Sequence, residues 1–274
     1  MRMRSSSPRL AAGLFAALLV SLVVHGCGRA PRDGDETAVR KGTRIGSYLV
    51  VDVNNGGSIS GKVTLEGDIA ARLGEIPARH VTNGQTECCK GTTEKPQQKL
   101  VTKGGGLKDV VVSLVRCDSG KAPVFGKAEL DQVYCDFVPH VVPVMAGDSV
   151  ALLNNDPIVH AVHGYRGIKT VFNIATSQQG GKWFAHCPDT GVTRCLCDAG
   201  HVWMEAFIHV LPNPYFAVTG EDGAFSIDNI PPGTYTVRFS HELWEDVERT
   251  ITVPAGGKAA GDIVLNVKDA TKIQ

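Results

Sequence analysis

Beyond its first 27 residues the chain sustains no helical period. Its apolar runs are short: 48–53, 58–65, 110–115, 141–145, 149–154 and 202–211, each bounded by Gly, Asn, Asp or Pro. No window of about twelve residues keeps the 3.6-residue repeat that an amphipathic helix needs. Segments of this kind bury side chains by pairing as strands, so the body is predicted to be mainly β. With 274 residues, 43% of them hydrophobic, the chain is long enough for one large or two small domains. Lys and Arg total 28 and so do Asp and Glu. That balance argues against a nucleic-acid-binding surface, which needs clustered positive charge.

The N-terminus reads as an export signal over residues 1–26. Arg2, Arg4 and Arg9 precede an apolar run, 10–24, relieved only by Gly13 and Ser21. The run ends in Val24-His25-Gly26-Cys27, which resembles the bacterial lipobox although His25 is unusual there. The resemblance implies lipidation at Cys27, attachment to a membrane through that lipid, and a location in the periplasm or on the cell surface. Residues 27–45 read as a polar linker. A polar stretch at about 78–106, holding Cys88 and Cys89, reads as an insertion.

Near residue 213 the pattern changes. Asp222-Gly223-Ala224-Phe225-Ser226-Ile227 is followed by Ile230-Pro231-Pro232-Gly233-Thr234-Tyr235-Thr236-Val237. Gly223 suits the positive φ of a two-residue hairpin turn, so three successive hairpin strands are predicted. Phe225 and Ile227, then Tyr235, Val237 and Phe239, alternate onto one face. The pattern resembles the carboxypeptidase regulatory-like, or transthyretin-like, domain over about 213–268. The resemblance implies a small non-catalytic β-sandwich. His241-Glu242 could suggest a metal or acid/base pair but reads as a partly exposed polar pair at a strand end.

Two motifs carry metal chemistry. Asn154 is followed after five residues by His160, and Cys197-x3-His201-x2-Met204 places a thiolate, an imidazole and a thioether within eight residues. Thiolate and thioether suit Cu(I) and imidazole suits Cu(II); two His, one Cys and a weak axial Met tolerate both states. Together the motifs resemble the cupredoxins, the plastocyanin and azurin group. Pro139-His140 ahead of the strand 147–154 extends the likeness to secreted cupredoxin-like proteins that carry a regulatory-like domain. The resemblance implies a Greek-key β-sandwich over 46–212 and one mononuclear copper site. His160 and His201 are then the imidazole ligands, Cys197 the thiolate and Met204 the axial ligand. It also implies one-electron exchange with periplasmic donors and acceptors such as c-type cytochromes.

His163 competes with His160 but, three residues on, falls on the opposite strand face. Cys195 shares a face with Cys197, which raises a binuclear copper site. The pattern of such a site has its second Cys where this chain has Thr193. Close relatives place two residues between Cys and His; here there are three, and Gly200 can absorb the extra one. Met145, His140 and His186 sit on no ligand spacing and read as structural.

Of eight Cys, Cys27 and Cys197 are assigned above, and the other six are expected to form disulfides. Cys117, Cys135 and Cys187 are expected to pair with the insertion. No nucleophile elbow, zincin motif or phosphate loop is present in the sequence, so no enzyme is expected. Two other readings remain open. One is a non-redox surface module with Cys197 in a disulfide to Cys187 or Cys195; the other is copper buffering with Cys195, His163 and His186 as extra sites.

Overall fold

The computed structural model describes residues 39–68 and 102–270, together with the backbone of a short strand pair, Arg79–His80 and Glu94–Lys95. The export signal, Cys27, most of the linker, Cys88, Cys89 and most of the insertion lie outside the described residues. What is described is mainly β, as expected, with one turn of 3-10 helix at Val267–Asp269. Among the described residues no helix is long and apolar enough to cross a membrane.

Two sandwiches, each with its own core, are built from these strands. In the first, a four-stranded sheet runs in the order Asp136–Val138, Glu129–Val133, Asp148–Asn154, Gly181–Cys187. It faces a five-stranded sheet ordered Val141–Met145, Glu205–Leu211, Gly191–Cys197, His160–Arg166, Lys169–Thr176. Alternation sends Val150 and Leu152 from one sheet, and Val162, Ala206, Ile208 and Val210 from the other, into a shared core.

The second sandwich corrects the expected order of domains. Residues 46–114 were expected in the same domain as the metal motifs. Instead Gly57–Glu66 pairs antiparallel with Ala224–Ile230 and parallel with Lys258–Ala260 and Ile263–Asn266. Likewise Val111–Leu114 lies between Phe216–Val218 and Gly233–Ser240. The residues after 213 cannot satisfy their own strand edges, because their two sheets each lack a strand that only the earlier segment supplies. One core therefore joins Ile59, Val63 and Leu114 to Ile227, Val237 and Phe239. The chain leaves this host sandwich after Ser119–Gly120, which pairs with Tyr48–Val50, builds the inserted sandwich, and returns at Tyr215.

The two predicted hairpin turns are also corrected. Phe216–Val218 does not pair with Ala224–Ile230, and Ala224–Ile230 does not pair with Gly233–Ser240; each turn carries the chain from one sheet to the other. Gly223 is still required. It has φ +75° and its carbonyl accepts the Val63 N–H at 2.9 Å, while a Cβ there would stand 2.1 Å from the Val63 oxygen. Phe225 and Phe239 thus meet from facing sheets, edge to face with ring centroids 5.8 Å apart.

Candidate metal centre

The site forms at one end of the inserted sandwich, where the loop after Gly191–Cys197 meets the start of His160–Arg166. Asn154, fully buried, fixes the approach. Its amide donates to the carbonyls of Ile158 and Thr176, each at 2.8 Å, and its Oδ1 accepts the Asp156 N–H at 3.0 Å. The corner so held presents Asp156 and His160 side by side. Asp156 accepts the backbone N–H groups of Tyr134 and Cys135 at 2.6 and 2.8 Å, and the His160 Nε2–H at 2.9 Å.

With its Nε2 proton committed to Asp156, His160 turns Nδ1 inward. His160 Nδ1 lies 3.2 Å from His201 Nδ1, and the Cys197 sulfur lies 3.6 and 3.4 Å from these two nitrogens. All three side chains are buried and form a group able to hold a metal ion. The point equidistant from the three atoms is about 2.0 Å from each, close to ordinary metal–imidazole and somewhat short of metal–thiolate bond lengths. Among the described residues His201 Nε2 is buried with no hydrogen-bond partner, so His201 lacks the anchoring acceptor that Asp156 gives His160.

The electrostatics suit a cation. Burial alone would raise the Cys197 thiol, but hydrogen bonds from His160 and His201 and from backbone N–H groups bring it down to about 6, a thiolate at neutral pH. Burial disfavours a charged His160, yet its contacts with Asp156 and Cys197 raise its pKa. Asp156 is in turn held below the ordinary carboxylate range, against its burial, chiefly by His160. Carboxylate, imidazole and thiolate form one line of compensated charge, in which a metal ion can replace the proton between ring and sulfur.

Gly200, with φ +93° and open space around it, accommodates the third residue between Cys197 and His201. The Met204 N–H donates to the His201 carbonyl at 2.9 Å, and its side chain is fully buried in the same core as Cys197. Trp203 stands edge-on to His201 at 5.5 Å, its indole N–H bonded to the Cys135 carbonyl at 2.8 Å.

Other sequence candidates are placed elsewhere. His163 points to the outer face, bonded to Asp198 and Thr170. Cys195 is buried in the core of the inserted sandwich, outside the metal-binding group, with its thiol pushed well up by burial. His186 is exposed beside Ser149, and Met145 packs in the host core. Cys117, Cys187 and Cys195, expected in disulfides, are free buried thiols, as is Cys197. Cys135 is disulfide-bonded, so its grouping with Asp156 and His160 offers no second thiolate.

Asp156 was not singled out in the sequence; its position four residues before His160 is the signal that points to it. Asp156→Asn is expected to lower metal affinity by about 10- to 100-fold, the usual cost of losing such a supporting group. A competition titration against a chromophoric chelator, with far-ultraviolet circular dichroism to confirm the fold, measures it; unchanged affinity would show Asp156 to be dispensable.

In comparison with solved structures, the chain is similar in part to a purple cupredoxin from Nitrosopumilus maritimus, at 18% identity, over 31% of this chain and 99% of that one, with a TM-score of 0.28. It is similar to amicyanin from Paracoccus versutus at 16% identity, over 30% and 79% of the two chains, with a TM-score of 0.28. A copper-containing nitrite reductase from Thermus scotoductus matches at 19% identity, over 35% of this chain and 25% of that one, with a TM-score of 0.29. No curated protein sequence matches the chain. Residues 199–266 match the carboxypeptidase regulatory-like domain family.

Proposed function

We propose that the protein is an extracytoplasmic copper-binding carrier of single electrons. The observation that carries this reading is the convergence of His160 Nδ1, His201 Nδ1 and Cys197 Sγ within 3.2–3.6 Å of one another in a buried pocket. Copper bound by such a set cycles between two oxidation states with little rearrangement. The chain's own contribution is to hold that geometry. Asn154 and Asp156 lock His160, Cys197 supplies a thiolate at neutral pH, and Met204 is the axial candidate. No enzymatic turnover is assigned. Lipidation of Cys27 after removal of residues 1–26 would tether the carrier to a membrane. Loss of Arg2, Arg4 and Arg9 would leave it mildly acidic, suited to basic partners such as c-type cytochromes.

The free state of Cys187, Cys195 and Cys197 counts against a non-redox module built on a Cys197 disulfide. Copper buffering requires more than one site, and the two candidate groups among the described residues share His160. Titration of the metal-free protein with Cu(II) tests the proposal. One equivalent should bind and produce an intense thiolate-to-copper band in the visible, with a reversible one-electron wave. A protein that stays colourless overturns it, and binding of several equivalents without the band favours buffering.

A further inference from the structure

The strand His160–Arg166 has two chemical faces. His160 turns inward to the metal-binding group, while His163, three residues on, stands on the outer face of the sheet. There its partner belongs to the other half of the site. A carboxylate only accepts, so the His163 Nδ1–H donates to Asp198 Oδ2, at 2.5 Å. The Asn173 amide, from the neighbouring strand Lys169–Thr176, donates to the same oxygen at 3.1 Å. The His163 ring is itself fixed. The Thr170 hydroxyl lies 2.8 Å from its Nε2, and Tyr165 stacks on it with centroids 3.9 Å apart, its hydroxyl 2.6 Å from Nδ1.

Asp198 follows Cys197 directly and opens the loop that carries His201. That loop has few restraints of its own. Between the two candidate ligands stand Asp198, Ala199 and Gly200, of which Asp198 alone has a polar side chain. Gly200, at φ +93°, has nothing within 4 Å of the place a Cβ would take, so packing does not hold the turn there. On its far side His201 has no anchoring acceptor among the described residues. Asp198 therefore ties the loop down twice. Its N–H donates to the Ala161 carbonyl at 3.0 Å and its carboxylate is held by His163, both on the strand that begins with His160.

The Asp198 side chain is 42% exposed, so the pair adds little to the stability of the whole fold. Its weight is local. His160 Nδ1, His201 Nδ1 and the Cys197 sulfur stand 3.2–3.6 Å apart, and the oxidation state such a group favours depends on how freely that triangle can open. Cu(II) prefers tetragonal coordination and Cu(I) does not, so a loop free to shift would favour Cu(II).

We propose that His163 and Asp198 are positioning residues, an outer strut that fixes the loop of Cys197 and His201 against the strand of His160 and so resists rearrangement of the ligand set. The redox consequence of the strut rests on the copper reading above; the strut itself is a property of the metal-free chain.

The test compares the full chain with His163→Phe, which keeps a ring to stack on Tyr165 but has no hydrogen bond to give, and with His163→Asn, whose amide replaces the Nδ1–H. In the metal-free proteins, hydrogen exchange is followed at the Asp198 and Met204 amides, which bond to Ala161 and His201. It should quicken about fivefold in His163→Phe, the most that a partly exposed pair contributes to local opening, and stay at the parent rate in His163→Asn. In the copper-loaded proteins the ratio of Cu(I) to Cu(II) affinity should fall by about the same factor in His163→Phe, a reduction potential lower by about 40 mV, and hold in His163→Asn. Loss of imidazole charge alone would move both variants equally. Unchanged exchange in His163→Phe, or equal changes in the two variants, overturns the strut whether or not copper binds. A normal visible band with an unchanged potential in His163→Phe overturns its redox role and leaves the copper reading standing. A parent that binds no copper overturns the copper reading, and the exchange rates still decide the strut.

Discussion

Cys197→Ser is expected to abolish the visible charge-transfer band outright and to lower copper affinity by more than about 100-fold, beyond the usual effect of a supporting residue. The substitution is nearly isosteric, so the fold should persist, but a serine hydroxyl stays protonated where the thiol sits at about 6. Among the described residues no other thiol can take over. Cys187 is pushed up to about 11 by burial, and Cys117 and Cys195 are also raised by burial, so all three remain protonated and closed to metal at neutral pH. Absorption and paramagnetic resonance spectra of the copper-loaded variant make the comparison. A retained band in Cys197→Ser would place the thiolate elsewhere and end the proposed assignment.

Acid should destabilise the metal-free protein by about 3 kcal/mol between pH 7 and pH 5, through His209 and His241. Both are nearly fully buried, with pKa values lowered to about 4 and about 3. Their stabilising contribution is complete above the unfolded histidine value of about 6.5, and falls with pH below it as the unfolded chain takes up protons that the folded rings refuse. Each ring accounts for nearly 2 kcal/mol of loss over that interval. His140 works the other way, since its raised pKa adds stability on the acid side and trims the sum. Urea unfolding at the two pH values, on the parent and on a His209→Asn, His241→Asn double variant, isolates the effect. The double variant should lose most of the dependence; an equal dependence in both proteins would remove these rings as its cause.

The convergence of the candidate ligand loop on His160 was legible in the sequence because its information is local. Cys197, His201 and Met204 fall on one short connection, and a strand period of two places His160 inward and His163 outward without knowledge of any partner. The mainly β class was legible for the same reason. The interleaving of the sandwiches was not, because Gly57–Glu66 finds its partner some 160 residues away in Ala224–Ile230, and local periodicity carries no record of which strand fills which edge. The Asp222-Gly223 turn shows the same limit. Its glycine was correctly read as a positive-φ position, but the angle fits a change of sheet as well as a hairpin.

The sequence by itself therefore determined the strand-rich class, the types of candidate ligand side chain and the face on which each stands, since these follow from side-chain chemistry and a two-residue repeat. Tertiary structure alone decided that Asp156 braces His160, that Cys117, Cys187 and Cys195 stay unpaired, and that His140, His209 and His241 surround one cavity. The cysteine and cavity relations join residues from strands distant in sequence, and the Asp156–His160 contact, only four residues long, depends on the corner that Asn154 holds by bonding to Ile158 and Thr176. They arise only when sheet edges must be paired and a shared core must be closed.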